Sequence, residues 1–181
     1  MRRVMSTSQL SNAFLMALIV QKYGGTSVGS AERIKNVARR VAKWHEAGHQ
    51  VVVVVSAMSG ETNRLIALAK DIQPHPDPRE LDVVASTGEQ VTIGLLSMAL
   101  QALGHKARSY TGAQIAVHTD SAFTKARIES IDSAKLKADL AQGIVPVVAG
   151  FQGVDANGNI TTLGRGGSDT SGVALAAALQ A

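Results

Sequence analysis

"QVVVVVSAMSG", residues 50–60, decides the architecture of this chain. Five consecutive valines between turn-forming residues describe a strand that is apolar on both faces. Such a strand belongs inside a parallel sheet with helices above and below it. Upstream, residues 17–23 read as a first strand, and "SAERIKNVARRVAKWHEAG" sets Ile34, Val37, Ala38, Val41 and Ala42 on one helical face. Ser30 is the predicted N-cap of that helix and Gly48 its stop. Downstream, a helix is predicted from about Thr62 to Asp71. "QPHPDPRE" (73–80) carries three of the four prolines and reads as a loop, leading into a long helix from Arg79 to Leu103 with possible bends at Gly88 and Gly94.

The alternation continues. "KARSYTG" (106–112) is a third strand, residues 113–131 read as short strands or an excursion, and "SAKLKADLAQG" (133–143) is a helix. "IVPVVAGF" (144–151) is another buried strand, and Asn157-Gly158 marks "VDANGNITTLG" (154–164) as a hairpin. An apolar helix from Ser168 to Ala181 ends the chain. The fold class is α/β: a doubly wound, mostly parallel sheet with helices on both faces, cut short at its C-terminal helix.

Composition narrows the function. The 181 residues are 45% hydrophobic, 18% charged and 3% aromatic, with a formal net charge of +4. Few rings and scattered positive charges argue against nucleic acid as a partner. The absence of cysteine excludes disulfides and thiolate metal sites. His45 and His49 are four apart, but Gly48 ends the helix between them, so they read as surface polar residues, and no metal site is expected. Residues 1–15 read as a disordered extension: the apolar run from Phe14 to Val20 meets Gln21 and Lys22, not a signal-peptide cleavage site. No run approaches the ~18 apolar residues of a membrane span, and a cytoplasmic protein is expected.

In an open parallel sheet, ligands gather at the carboxyl ends of the strands. Four stretches that fall there carry unusual residues. "LIVQKYGGTSVGS" (18–30) ends a strand with Lys22 and then turns through Gly24 and Gly25, a shape suited to an anion. From Gly25 it also spells G-x-S-x-G, the nucleophile elbow of a serine hydrolase, with Ser27, Asp82 and His118 in the required chain order. "SAMSGETN" (56–63) offers Ser56, Ser59 and Thr62 to a polar ligand, although Thr62 would also serve as a helix cap. "STGEQ" (86–90) sets Glu89 among apolar neighbours, where it either faces water or needs a cationic partner. "TTLGRGGSDTSG" (161–172) surrounds Arg165 with glycines at a helix start, a clamp for a carboxylate or phosphate. The hydrolase reading leaves Lys22 and Arg165 without a role. It also puts the elbow after the first strand, where such enzymes have several strands before it.

"KYGGTSVGS", "VVSAMSGETN", "STGEQ" and "TTLGRGGSDTSG", in this order, resemble the aspartate kinases of the amino-acid-kinase superfamily. The resemblance runs from about Met16 to the last residue. It implies transfer of the γ-phosphoryl group of ATP, with Mg2+, to the side-chain carboxylate of L-aspartate. This is the first step toward lysine, threonine and methionine. It also implies that Lys22 sits between the two anionic reactants, that Asp169 holds the Lys22 ammonium, and that Gly24, Gly25, Gly166 and Gly167 contact phosphate. Arg165 would clamp the α-carboxylate and Glu89 accept the α-amino group, with Ser56, Thr62, Phe151 and Ser168 completing the pocket. Kinases of acetylglutamate or glutamate share the fold but need other pocket residues.

The family's kinase domain continues past the last helix seen here into a nucleotide-binding half and ACT-type regulatory domains. Residues 16–181 therefore correspond to the aspartate-binding lobe. The expectation is a truncated form with little activity alone, homo-oligomeric when full length, with a non-catalytic aspartate-binding fragment as the alternative.

Overall fold

The computed structural model describes residues 16–181, so the expectation for residues 1–15 lies outside the described residues. In chain order the elements are β1 (Leu18–Tyr23), α1 (Ala31–Glu46), β2 (Gln50–Val55), α2 (Glu61–Ile72), α3 (Pro78–Ala102), β3 (Ala107–Tyr110), a 3-10 turn (Ala113–Ile115) and β4 (Val117–Thr119). There follow β5 (Ile128–Ile131), α4 (Ala134–Ala141), β6 (Val145–Ala149), β7 (Gln152–Val154), β8 (Ile160–Thr162) and α5 (Gly167–Leu179).

The valine run does what its composition requires. β2 lies inside a four-stranded parallel sheet of order β1-β2-β6-β3, and Val51 to Val55 are all fully buried. Val51, Val53 and Val55 pack with Ile34, Val37 and Val41 of α1 and Ile93, Leu96 and Leu100 of α3. Val52 and Val54 pack on the opposite face with Leu136 and Leu140 of α4 and Leu175 and Leu179 of α5. Each buried valine contributes roughly 1.5–3 kcal/mol, which anchors a sheet wound with helices on both sides.

The helix boundaries have local causes. Ser30 caps α1 by accepting from the Arg33 amide, and Gly48 lies just beyond its end at φ 89°. The proline-rich loop is shorter than its prolines suggest: Pro78 is the first residue of α3, and Asp77 caps it by accepting from the amides of Arg79 and Glu80. A window of α3 reaches a mean hydropathy of 1.3, enough by length and composition to cross a bilayer, although Thr87, Glu89, Gln90 and Thr92 interrupt its apolar residues. Half of that window is buried inside this fold, against α1 and the sheet.

Residues 113–131 resolve into the 3-10 turn, β4 and β5, and these two strands join β7 and β8 in a second sheet of order β5-β4-β7-β8. β7 and β8 form the Asn157-Gly158 hairpin, with Gly158 at φ 80° and Asp155 accepting from the amides of Asn157 and Asn159. β4 pairs parallel with β7 and antiparallel with β5, so this sheet is mixed. The two sheets meet where β3 ends: a Cβ on Gly112 would lie 2.3 Å from the carbonyl oxygen of Gln152.

Candidate active site

Beyond the carboxyl ends of β1, β2 and β6 lies a cavity of about 660 Å³. The twelve residues to which the kinase resemblance assigns a role all line it: Lys22, Gly24, Gly25, Ser56, Thr62, Glu89, Phe151, Arg165, Gly166, Gly167, Ser168 and Asp169. They come from five segments that only the folded sheet brings together.

β1 delivers Lys22, whose Nζ lies 2.8 Å from Asp169 Oδ1 in the first turn of α5. The pair is partly open to solvent, so it orients the ammonium more than it stabilises the fold. The turn that follows must pass close to the β2 loop: a Cβ on Gly25 would lie 2.9 Å from the Ala57 carbonyl oxygen. Ser56 and Ala57 follow β2. Thr62 lies in the first turn of α2, one residue inside the helix that Gly60 caps at φ 82°.

α3 supplies Glu89, which is 2% exposed. Gly88 makes this possible, because a Cβ there would meet Ala57 Cβ at 2.8 Å. One carboxylate oxygen, Oε1, accepts from the Ala57 amide at 2.9 Å, while Oε2 is buried without a partner among the described residues. Burial therefore pushes the Glu89 carboxyl up to about 7, against the smaller opposing effect of its backbone hydrogen bonds. Of the two placements open in the sequence, the solvated outer face is not the one adopted.

The segment between β8 and α5 carries Arg165, which is exposed at the cavity rim. Gly166 takes φ 77° to start α5, and a Cβ on Gly167 would collide with Leu163 Cβ at 2.8 Å and with the Phe151 ring at 2.9 Å. Phe151 itself sits at φ 70°, an uncommon conformation for a bulky residue. It is held there by its amide donating to Ser171 Oγ at 3.0 Å and its carbonyl accepting from the Leu163 amide. Ser171 in turn donates to the Gly167 carbonyl.

The serine-hydrolase alternative is not supported. Ser27 is exposed in a separate depression with Arg33 and Arg40, and its amide closes a turn onto the Gly24 carbonyl. Asp82 is fully buried and bonded to Thr124 and Thr162, while His118 is exposed on β4. The three are not brought together. His45 and His49 are not plain surface residues either: His49 Nδ1 accepts from the Ala17 amide, and His45 Nδ1 lies 3.1 Å from His105 Nδ1. Among the described residues no group of three His, Asp or Glu side chains could hold a metal ion.

Sequence reasoning missed the supporting residues. In the sequence Asp82 reads only as a hydrolase acid and Gly88 only as a helix bend, while Thr124 and Ser171 carry no signal of their own. The one available signal was spacing: Asp82 precedes Glu89 by two helical turns and so shares its face of α3.

The sequence profile of the amino acid kinase family matches residues 17–181. Over 166 residues the chain is 71% identical to the aspartokinase of Pseudomonas aeruginosa and 57% identical to aspartokinase 2 of Bacillus subtilis. Each alignment covers 92% of this chain, which spans about 40% of the length of these curated relatives. Among solved structures, aspartate kinase from Synechocystis superposes with a TM-score of 0.76 at 50% identity, covering 92% of this chain and 27% of that one. Aspartokinase III of E. coli, crystallised with aspartate and ADP, gives a TM-score of 0.80 at 25% identity, covering 92% and 47%. This chain belongs to the amino acid kinase family.

Proposed function

We propose that residues 16–181 form the aspartate-binding lobe of an aspartate kinase, which transfers the γ-phosphoryl group of ATP to the side-chain carboxylate of L-aspartate. The observation that carries this reading is the polarity of the cavity. Glu89 offers a buried carboxylate oxygen with no partner among the described residues, and Lys22 and Arg165 line the same cavity as cations. An amino acid with two carboxylates satisfies all three groups: its ammonium meets Glu89, its α-carboxylate meets Arg165, and its side-chain carboxylate lies toward Lys22.

Transfer between two anions is slow chiefly because they repel and must be held in line. Lys22, oriented by Asp169, offsets that charge. Gly24 and Gly25 leave room for a phosphoryl group beside it, since a Cβ on Gly24 would stand 3.4 Å from Lys22 Nζ. Gly166 and Gly167 open the N-terminus of α5 toward the same place. Ser56, Thr62, Phe151 and Ser168 complete the amino-acid pocket. ATP supplies the phosphoryl group, and Mg2+ fits this lobe only as an ion carried on the nucleotide's phosphates, because the described residues offer no cage for it. The same reading extends to a cytoplasmic homo-oligomer that works at the start of lysine, threonine and methionine synthesis.

The binding half of the proposal is testable on this chain by calorimetric titration with L-aspartate, with L-glutamate as control. The expected result is binding of aspartate alone, weakened by at least about tenfold in Arg165→Ala. Equal binding of both amino acids, or no effect of the substitution in a folded chain, would remove Arg165 and the pocket assignment together.

A further inference from the structure

Asp82 is the most buried carboxylate at the cavity wall, and the proposed reaction does not use it. It is fully buried, and no cation bonds to it among the described residues. Its oxygens take three hydrogen bonds from two separate segments. Oδ2 accepts from the Thr124 amide at 2.9 Å and from the Thr162 amide at 2.9 Å, while Oδ1 accepts from Thr162 Oγ1 at 2.6 Å. A carboxylate that holds three donors from two segments is a strong anchor.

What it anchors decides its role. Thr162 is the last residue of β8, two positions before the turn that carries Arg165. Thr124 sits at φ 67°, which a β-branched residue adopts only when its surroundings impose it. The two segments also touch each other: the Ala126 amide donates to the Thr162 carbonyl, and a Cβ on Gly164 would lie 3.1 Å from the Thr124 carbonyl oxygen. Gly164 itself takes φ 76°. Arg165 has no side-chain hydrogen bond of its own among the described residues, so the position of its backbone sets where the guanidinium can reach.

We infer that Asp82 is a positioning residue: it ties α3, the Thr124 segment and the end of β8 into one unit and thereby fixes the Arg165 turn at the cavity rim. Its link to substrate rests on the aspartate-kinase reading, but its link to the Arg165 turn does not. Asparagine can replace the carboxylate with its geometry kept. Its single oxygen can accept both amides, and its amide nitrogen can donate to Thr162 Oγ1, which accepts as readily as it donates. Alanine leaves the two buried amides without a partner.

The test is hydrogen–deuterium exchange of the full chain, read by segment, alongside the aspartate titration. In Asp82→Ala, residues 121–126 and 162–167 are expected to exchange at least about tenfold faster while β2 keeps its protection. Asp82→Asn is expected to restore most of that protection. Aspartate affinity should follow the same order, falling about tenfold in the alanine variant and recovering in the asparagine variant.

Wild-type exchange in Asp82→Ala, or equal damage from Ala and Asn, would overturn the inference. If Asp82→Ala loses β2 protection as well, Thr162→Val decides instead. It removes only the hydroxyl bond, and a smaller acceleration confined to the same two segments is required. An exchange pattern that holds in a chain that binds no aspartate would retire the substrate reading and leave the positioning role standing.

Discussion

Glu89 shows how one buried atom can set the pH behaviour of a site. With the pocket empty its carboxyl is half-protonated near pH 7, because burial disfavours the charged form. A ligand ammonium needs the carboxylate, so binding must expel the proton at lower pH. Aspartate affinity is therefore expected to rise by up to about tenfold per pH unit below 7 and to level off above it. Titrations of Glu89→Gln across the same range should give weaker binding with no such slope. A slope that survives the substitution would assign the proton to another group. Lys22, Arg165 and Glu89 were legible in the sequence because each is odd where it stands: a cation at a strand end, a cation among glycines, an acid among apolar neighbours. Asp82 and Ser171 were not legible as supports. Their partners lie 80 and 20 residues away, and only the folded chain shows that they bond.

At the scale of elements, periodicity and cap residues carried most of the reading. The apolar face of α1 and its Ser30 cap appear where spacing placed them, and Ser30→Ala should cost about 1 kcal/mol in denaturant unfolding. Pro146 is the instructive case, since a proline normally argues against an inner strand. β6 tolerates it because pairing with β2 is recorded only from Val147 onward, while pairing with β3 begins at Val145. The second sheet was poorly legible because β4, β7 and β8 are three residues each, too short for alternation to show. Gly112 gave no local signal either. Its backbone is right-handed, at φ −56° and ψ −40°, which any residue can adopt, so only the space around it demands glycine. Gly112→Ala should lower stability by roughly 3 kcal/mol or more, or displace the sheet junction. A denaturation midpoint unchanged from wild type would show that the junction can open without cost.

For the whole molecule, the same buried acid makes stability depend on pH in an unusual direction. Glu89 holds its proton more tightly in the folded chain than in the unfolded one, where it titrates near 4.5. Its contribution is therefore fully present below about pH 4.5 and is lost as pH rises toward 7, on the order of 3 kcal/mol in all. His45 acts oppositely: burial lowers its pKa from 6.5, so acidification through that range weakens the fold. Comparing wild type with Glu89→Gln at each pH isolates the first effect, and the stability gap should widen steadily from pH 4.5 to 7.

The meeting point of the two sheets has a mechanical consequence. Gln152 presses its carbonyl onto Gly112, and its side-chain amide donates to the Ser86 carbonyl inside α3. Three elements thus share one residue, with no slack for a Cβ between them. The joint couples both sheets to α3, the helix that also carries Asp82 and Glu89. A change in the angle between the two sheets would therefore have to displace α3 or break the Gln152–Ser86 bond.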